Sequence, residues 1–457
     1  MFKQKNLPLA LIAVAVAIVL GGTTSTQPTE PVSYIDNNEP LHISELRVYQ
    51  PERPPAGYRT VLAKPFLAES GKETAARLIL LDNGDLDELS PKQRSILEIP
   101  NSFRVAVQGE DIEISSTGRQ GLIYGLDELI SRLELNGGKL YTKSLLDAPD
   151  HTIRALHLVI RSLTTSELID LIDRARKSRF NTLIIQVGDF IRLDARAVEP
   201  RPDALSKEQF SSVLDYAKDN GFVVIPDVPL LTTQQKFFKN SFPELLYNEL
   251  TYDPREPKVY ELVFEHLDEV LELFDPPAVH IGHDEVSGTY NLHKKSAIRD
   301  EGRILPPDLF LQDVIRLHDY LQSKGVETWM WGDMLVAPEE FPGMHSSNLH
   351  GRFGYAQLRP KIPRDIVICA WHYWQNKPDY PSVASFTAQG NPVLGATWKK
   401  RRTVETLTRY VAGLPNNSRG MIATTWFHVP RREWDIVHDI IETSGSLFWN
   451  TRLEQTP

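Results

Sequence analysis

Ala278-Val-His-Ile-Gly-His-Asp-Glu285 sets a mostly apolar run against a glycine and then two adjacent carboxylates. A short run of that kind suits a strand covered on both faces, as in a parallel sheet flanked by helices. Helical spacing precedes it, at about 257–274. A second helical segment follows near 307–324, stops at Gly325, and gives way to another apolar run, Val326 to Trp331. The same unit recurs in both directions. Upstream lie the runs Ile153 to Ile160, Asn181 to Val187 and Phe222 to Pro226. Their helices open with the capping boxes Thr164-x-x-Glu167 and Ser206-x-x-Gln209, and the second stops at Gly221. Downstream lie Asp365 to Ala370, Pro392 to Thr397 and Gly420 to Thr425, with helices near 382–389, 403–413 and 432–446. Eight strands, each followed by a helix, predict a closed (β/α)8 TIM barrel over 148–457. A doubly wound sheet would normally carry a glycine-rich phosphate loop after its first strand. Here the first strand runs into Arg161-Ser-Leu163.

The region before the barrel has another rhythm. Ser102-Phe-Arg-Val-Ala-Val107 alternates, Gly109 turns the chain, and Ile112-Glu-Ile-Ser115 alternates again. Leu122, Leu126, Leu129, Ile130 and Leu133 then recur at helical spacing. This predicts a small supporting α+β domain over 41–147. Residues 1–22 combine Lys3 and Lys5 with an apolar stretch from Leu7 to Leu20, the pattern of an export signal. They lack a clean A-x-A cleavage site, so an uncleaved N-terminal membrane anchor is the alternative. Residues 23–40 read as a linker. The expected location is periplasmic or extracellular.

The chain has 457 residues, 41% of them apolar, and a net charge of −10. That balance argues against a nucleic-acid partner, which asks for a basic face. The single cysteine, Cys369, lies inside Asp365-Ile-Val-Ile-Cys-Ala370. It reads as a small hydrophobe in a buried strand, and no internal disulfide can form.

Active sites of such barrels lie at the C-terminal strand ends. Those ends carry Asp189, Asp227, His283-Asp284-Glu285, Trp331-Gly-Asp333, Trp371-His-Tyr-Trp374, Trp398 and Trp426-Phe-His428. Flat aromatic faces stack on sugar rings, and carboxylates bind hydroxyls and move protons. The set therefore predicts a carbohydrate pocket. Adjacent carboxylates also shift each other's pKa, which can keep one protonated as a general acid. His280, His283, His350, His372 and His428 raise the question of a metal. No H-x-x-x-H helix or cysteine pair supports one, and neither a metal nor an organic cofactor is expected.

The segment His280-Ile-Gly-His-Asp-Glu-Val286 resembles the H-x-G-G/A-D-E signature of family 20 glycoside hydrolases, the β-N-acetylhexosaminidases. Arg154-Ala-Leu-His-Leu158 is similar to that family's first strand. Tyr216-Ala-Lys218 and Val224-Ile-Pro-Asp227 are similar to its third-strand region. The resemblance runs from about 100 to 430 and implies substrate-assisted catalysis, an exception to the two-carboxylate scheme. It makes Glu285 the acid and then the base. It makes Asp284 the group that orients the acetamido substituent of an N-acetylhexosamine-containing glycan. Trp331, Trp371 and Trp426 would enclose the sugar, and Arg154 and Asp189 would hold ring hydroxyls. His283, Asp333 and Trp398 complete the expected substrate contacts.

The departures from the family pattern are specific. His283 stands where the family has Gly or Ala, Gln186 where strand two has His, and Val159 where the first strand has Asp. Leu230-Leu-Thr232 replaces Gly-His, Lys399-Lys-Arg-Arg402 replaces Tyr-Leu-Asp, and Phe427-His428 follows Trp426 where a Glu is expected. Two other readings therefore stand beside the first. One is a glycan-binding relative that has lost turnover. The other is a barrel glycosidase for another sugar, with Asp333 as second carboxylate. The basic run 399–402 is either a solvated helix start or a contact for an anionic group on the substrate.

Overall fold

The computed structural model describes residues 34–49, 72–109, 111–234, 237–286, 303–375 and 377–451. The expected signal at 1–22 lies outside them. No helix of the described residues is long and apolar enough to cross a membrane.

The first unit is a five-stranded closed sheet in the order β1-β2-β4-β3-β5. Its strands are β1 (Tyr34–Tyr49), β2 (Lys72–Leu80), β3 (Phe103–Gln108), β4 (Asp111–Ser116) and β5 (Lys139–Asp147). β3 and β4 form the expected antiparallel hairpin, pairing Val105 with Ile114. The helix Arg119–Leu135 lays Leu122, Leu126, Leu129 and Leu133 onto Phe103, Val105, Ile112 and Ile114. It presses so close that a Cβ on Gly121 would stand 2.0 Å from Ser116 Oγ.

Residues 34–40, read from the sequence as the end of a linker, are part of β1. The turn-like Asn37-Asn-Glu-Pro40 is absorbed as a register break between Asn37 and Leu41 in the pairing with β5. Such irregularity lets a strand carry a proline.

The second unit is a closed parallel barrel. Its strands are β6 (Ile153–Leu158), β7 (Thr182–Gln186), β8 (Val223–Leu230), β9 (Ala278–Gly282), β10 (Glu327–Trp331), β11 (Val367–Trp371), β12 (Val393–Thr397) and β13 (Ser418–Thr424). All eight coincide with the apolar runs of the sequence. β8 runs on past Pro226 to Leu230. It meets β9 only at Asp227↔His280 and Leu230↔Gly282, with a shift between, so its two prolines remove few ladder bonds. The predicted capping boxes form at Thr164 and Ser206.

The last helix, Trp434–Trp449, ends with Trp449 buried in the core of the first unit. Its indole N–H donates to Asp147 at 3.0 Å. Cys369 is fully buried in β11, and burial pushes its thiol well above the ordinary pKa.

Candidate active site

β9 ends in an abrupt change of backbone. Gly282 has φ +75°, and a Cβ there would stand 3.0 Å from Pro229 Cα. His283 and Glu285 are also left-handed, at φ 69° and 48°. Three such residues within four are sparsely populated geometry that persists only where the surroundings impose it. What imposes it is visible behind the strand. His283 turns back into the protein and is fully buried. Its Nδ1 lies 2.9 Å from the Ile281 carbonyl and its Nε2 2.9 Å from Asp313 Oδ2. Asp313, on the helix Pro307–Ser323, also accepts from the hydroxyls of Tyr252 (2.9 Å) and Tyr260 (2.5 Å). His283, expected to meet substrate, is thus a buttress: the positive φ that follows Gly282 swings its ring inward.

The acid pair lies on this buttress, with Asp284 half-buried and Glu285 exposed. Asp333 is buried and engaged on both oxygens. Its Oδ2 accepts the Glu285 backbone N–H at 2.9 Å and lies 2.8 Å from His350 Nδ1. Its Oδ1 accepts the Trp371 indole N–H at 3.1 Å. Asp333, expected to contact substrate or to serve as a second catalytic carboxylate, instead clamps Glu285 to Trp371. Desolvation pushes the Asp284 carboxyl well above the usual range, and the negative charges of Asp333, Glu285 and Asp227 push it further.

Beneath the pair lies a polar floor. Asp227 is buried, within 2.9 Å of His157 Nε2 and 3.1 Å of His280 Nδ1, and it accepts from Gln186 at 3.3 Å. Burial disfavours its charge, but the contacts with the two histidines outweigh this and hold its carboxyl well below the usual range. Asp227 carries a signal of its own, standing just past the apolar run Phe222 to Pro226 of the third barrel strand. His280 opens the quoted motif, whereas His157 lies inside its strand and carries no such signal.

The aromatic wall rises from this floor. Trp331 packs on His280 with ring centroids 4.4 Å apart and on Trp426 at 5.8 Å. The Trp426 indole donates to the Tyr373 hydroxyl at 3.0 Å. Tyr373 stacks on Trp371 at 4.9 Å and meets Trp398 edge-on at 5.7 Å. Tyr373 is therefore the keystone joining the other rings, and its hydroxyl lies within the field of Asp284 and Glu285. It stands in the strand end Trp371-His-Tyr-Trp374, between two tryptophans.

Two expected ligands lie elsewhere. Arg154 is fully buried at the N-terminal end of β6, the wrong end of the barrel for chemistry. Its guanidinium donates to the carbonyls of Arg179 (2.7 Å), His151 (2.8 Å) and Thr152 (3.3 Å), to Asn101 (3.0 Å) and to the Tyr124 hydroxyl (3.3 Å). It is a structural pin, because the first residues of a parallel strand lie opposite the mouth. Asp189 is half-buried and lines a cleft of about 240 Å³ with Glu199, Arg201, Phe237 and Ser241. That lining includes neither Asp284 nor Glu285. Among the described residues no group of three or more His, Cys, Asp or Glu side chains is arranged to hold a metal ion.

A closed parallel barrel whose mouth joins an acid pair to a wall of tryptophans defines a glycoside hydrolase architecture. The family model "Glycosyl hydrolase family 20, catalytic domain" matches residues 182–397. That match covers the barrel from β7 through β12. No curated protein matches the sequence, yet solved structures share its fold. A chitobiase from Flavobacterium johnsoniae is 15% identical with a TM-score of 0.66, over 92% of this chain and 68% of that one. A β-N-acetylhexosaminidase from Bacteroides fragilis is 16% identical with a TM-score of 0.61, over 90% and 89%. A mutant Streptomyces plicatus β-hexosaminidase in complex with the product GlcNAc is 15% identical with a TM-score of 0.63, over 91% and 89%.

Proposed function

We propose that this protein removes β-linked N-acetylhexosamine from glycans by substrate-assisted, retaining hydrolysis. The observation that carries the reading is the commitment of Asp333. With both its oxygens engaged in holding Glu285 and Trp371, Asp333 is not free to serve as a nucleophile beside the acid pair, among the described residues. The substrate's own acetamido oxygen fills that role. Glu285 donates its proton to the glycosidic oxygen as the C1–O bond breaks, and the acetamido oxygen bonds to C1. The resulting oxazolinium-type cation is hydrolysed when Glu285, now a carboxylate, takes a proton from water and the water oxygen attacks C1, breaking the bond from C1 to the acetamido oxygen and restoring the acetamido group. Two inversions at C1 give net retention.

The electrostatics support the same step. The carboxyl groups of Glu285, Asp333 and Asp227 share one mouth with Asp284, and their proximity, with burial, disfavours a negative charge on Asp284 in the free protein. A positive charge developing on the substrate relieves that crowding. The interaction is therefore stronger in the transition state than in the ground state, which is what accelerates a reaction. An export signal at 1–22 would place the substrates outside the cytoplasm, with the enzyme free or anchored there.

The test is hydrolysis of a chromogenic β-N-acetylglucosaminide by the wild type and by Glu285→Gln, with and without a stable oxazoline mimic. Turnover that the mimic blocks, and that the variant loses by about 10²–10⁴-fold, is expected for an essential general acid–base. Sugar binding without turnover would instead identify a glycan-binding relative.

A further inference from the structure

The ends of β12 and β13 carry an arrangement that the hydrolytic reading does not use. Lys399 follows Trp398 directly. Its ammonium lies 4.6 Å from the Trp398 ring centroid and 5.9 Å from that of Phe427. From the next strand end, the Arg431 guanidinium lies 4.4 Å over the same Phe427 ring. Phe427 is 40% exposed and Trp374, which meets Trp398 edge-on at 5.8 Å, is 38% exposed. Lys399 and Arg431 are themselves exposed, and neither is paired with a carboxylate among the described residues. Their neighbours differ: Arg401 is bound to Glu405 and Arg432 to Glu167. In a chain of net charge −10, two cations held on aromatic faces without a counter-charge are conspicuous.

The backbone adds to the same field. The helix Arg401–Ala412 begins here, with Lys400 as its cap residue and no acidic residue in its first turn. A helix N-terminus carries partial positive charge and is ordinarily complemented by Asp or Glu. Here Lys399 and Arg402 add positive charge beside it, while Arg401 is offset by Glu405. An incoming anion relieves both. The place also fits the architecture, because the loops after the seventh and eighth barrel strands are a recurrent seat for anions.

We propose that Lys399 and Arg431, set on Trp398 and Phe427, form a subsite for an anionic substituent (carboxylate, sulfate or phosphate) on the glycan whose sugar occupies the pocket. The subsite rests on the glycosidase reading for the neighbouring pocket and specifies which glycans that pocket receives. Trp398 links the two, being 5.7 Å from Tyr373 and 5.5 Å from Phe427.

The test measures binding by tryptophan fluorescence to full-length Glu285→Gln protein. The probes are N-acetylglucosamine, its 6-sulfate, its 6-phosphate, and an N-acetylglucosaminyl-glucuronate disaccharide beside its uncharged methyl ester. At least one anionic probe should bind more tightly than its neutral partner, and which one distinguishes the sources. Lys399→Ala and Arg431→Ala should each lower the anionic-to-neutral affinity ratio by about 5-fold, the scale of one exposed charge pair. Added salt should shrink the preference. Equal affinity for charged and neutral probes, or variants that leave the ratio unchanged, would overturn the subsite. Turnover of the neutral chromogenic substrate by wild type would show in that case that the glycosidase reading survives alone. No binding of any probe and no turnover would remove both.

Discussion

The two ends of the barrel treat buried charge in opposite ways. At the N-terminal end Arg154 has five donor contacts, three to backbone carbonyls, and its guanidinium lies over the rings of Trp449 (5.0 Å) and Tyr124 (5.6 Å). A left-handed residue there, Arg179, follows the end of the helix Thr165–Lys177, where such a conformation is common. At the C-terminal end like charges are brought together. Asp284 is crowded by three other carboxylates, and three left-handed residues fall within four. A satisfied buried charge pins the strand to the first unit and to the last helix. A crowded one is free energy held in reserve for a cationic partner. The buttress of His283, Asp313, Tyr252 and Tyr260 keeps that reserve from relaxing.

If the mouth is built for chemistry and the base for stability, substitutions at the two ends should separate in kind. Asp284→Asn has the largest expected effect. The rate should fall by about 10²–10³, the scale for removing one stabiliser of developing charge, without a lower melting temperature. A stability loss matching the rate loss would break the comparison. At the other end Arg154→Ala should cost about 3 kcal/mol, from a cavity and several stranded buried acceptors. Denaturant unfolding would measure it, and KM of the folded enzyme should not move. A raised KM with intact stability would return Arg154 to the substrate.

Asp313→Asn should lower kcat by about 10-fold with little change in KM, since a small displacement of a catalytic group costs rate before affinity. Equal changes in both would show that the buttress shapes binding instead.

The smallest effect is on stability against pH. The folded state raises the pKa of Asp284 above the unfolded value, so it binds a proton that the unfolded chain has released. Asp284 therefore opposes folding near neutrality, and that penalty is withdrawn as pH falls toward the ordinary carboxylate range. Asp227 is shifted the other way. Its contribution is present above the ordinary carboxylate pKa and lost as pH falls further, toward its folded value. Between pH 7 and about 4.5, the melting temperature of the wild type should rise relative to that of Asp284→Asn. Parallel curves would show that Asp284 is not crowded.

Much of the fold was legible because each barrel strand is buried on both faces and reads as an apolar run. β9 matches its run residue for residue, and the boxes at Thr164 and Ser206 mark their helix starts. The strand ends were legible for the same reason: once the order of strands is known, so are the residues at the mouth. What could not be read was direction. Sequence adjacency placed His283 with Asp284 and Glu285, but a left-handed turn sends its ring to Asp313. Arg154 belongs to a strand whose other end faces the pocket. Asp333 reads as a free acid, and only its three partners, drawn from the turn after β9, from β11 and from a loop, reveal a clamp.

The sequence by itself determined the barrel, the acid pair and the aromatic character of the mouth, because burial periodicity and strand order are local properties. The tertiary structure decided which charges are satisfied and which are left crowded. That depends on residues up to several strands apart meeting within hydrogen-bond distance, and no local pattern encodes such a meeting.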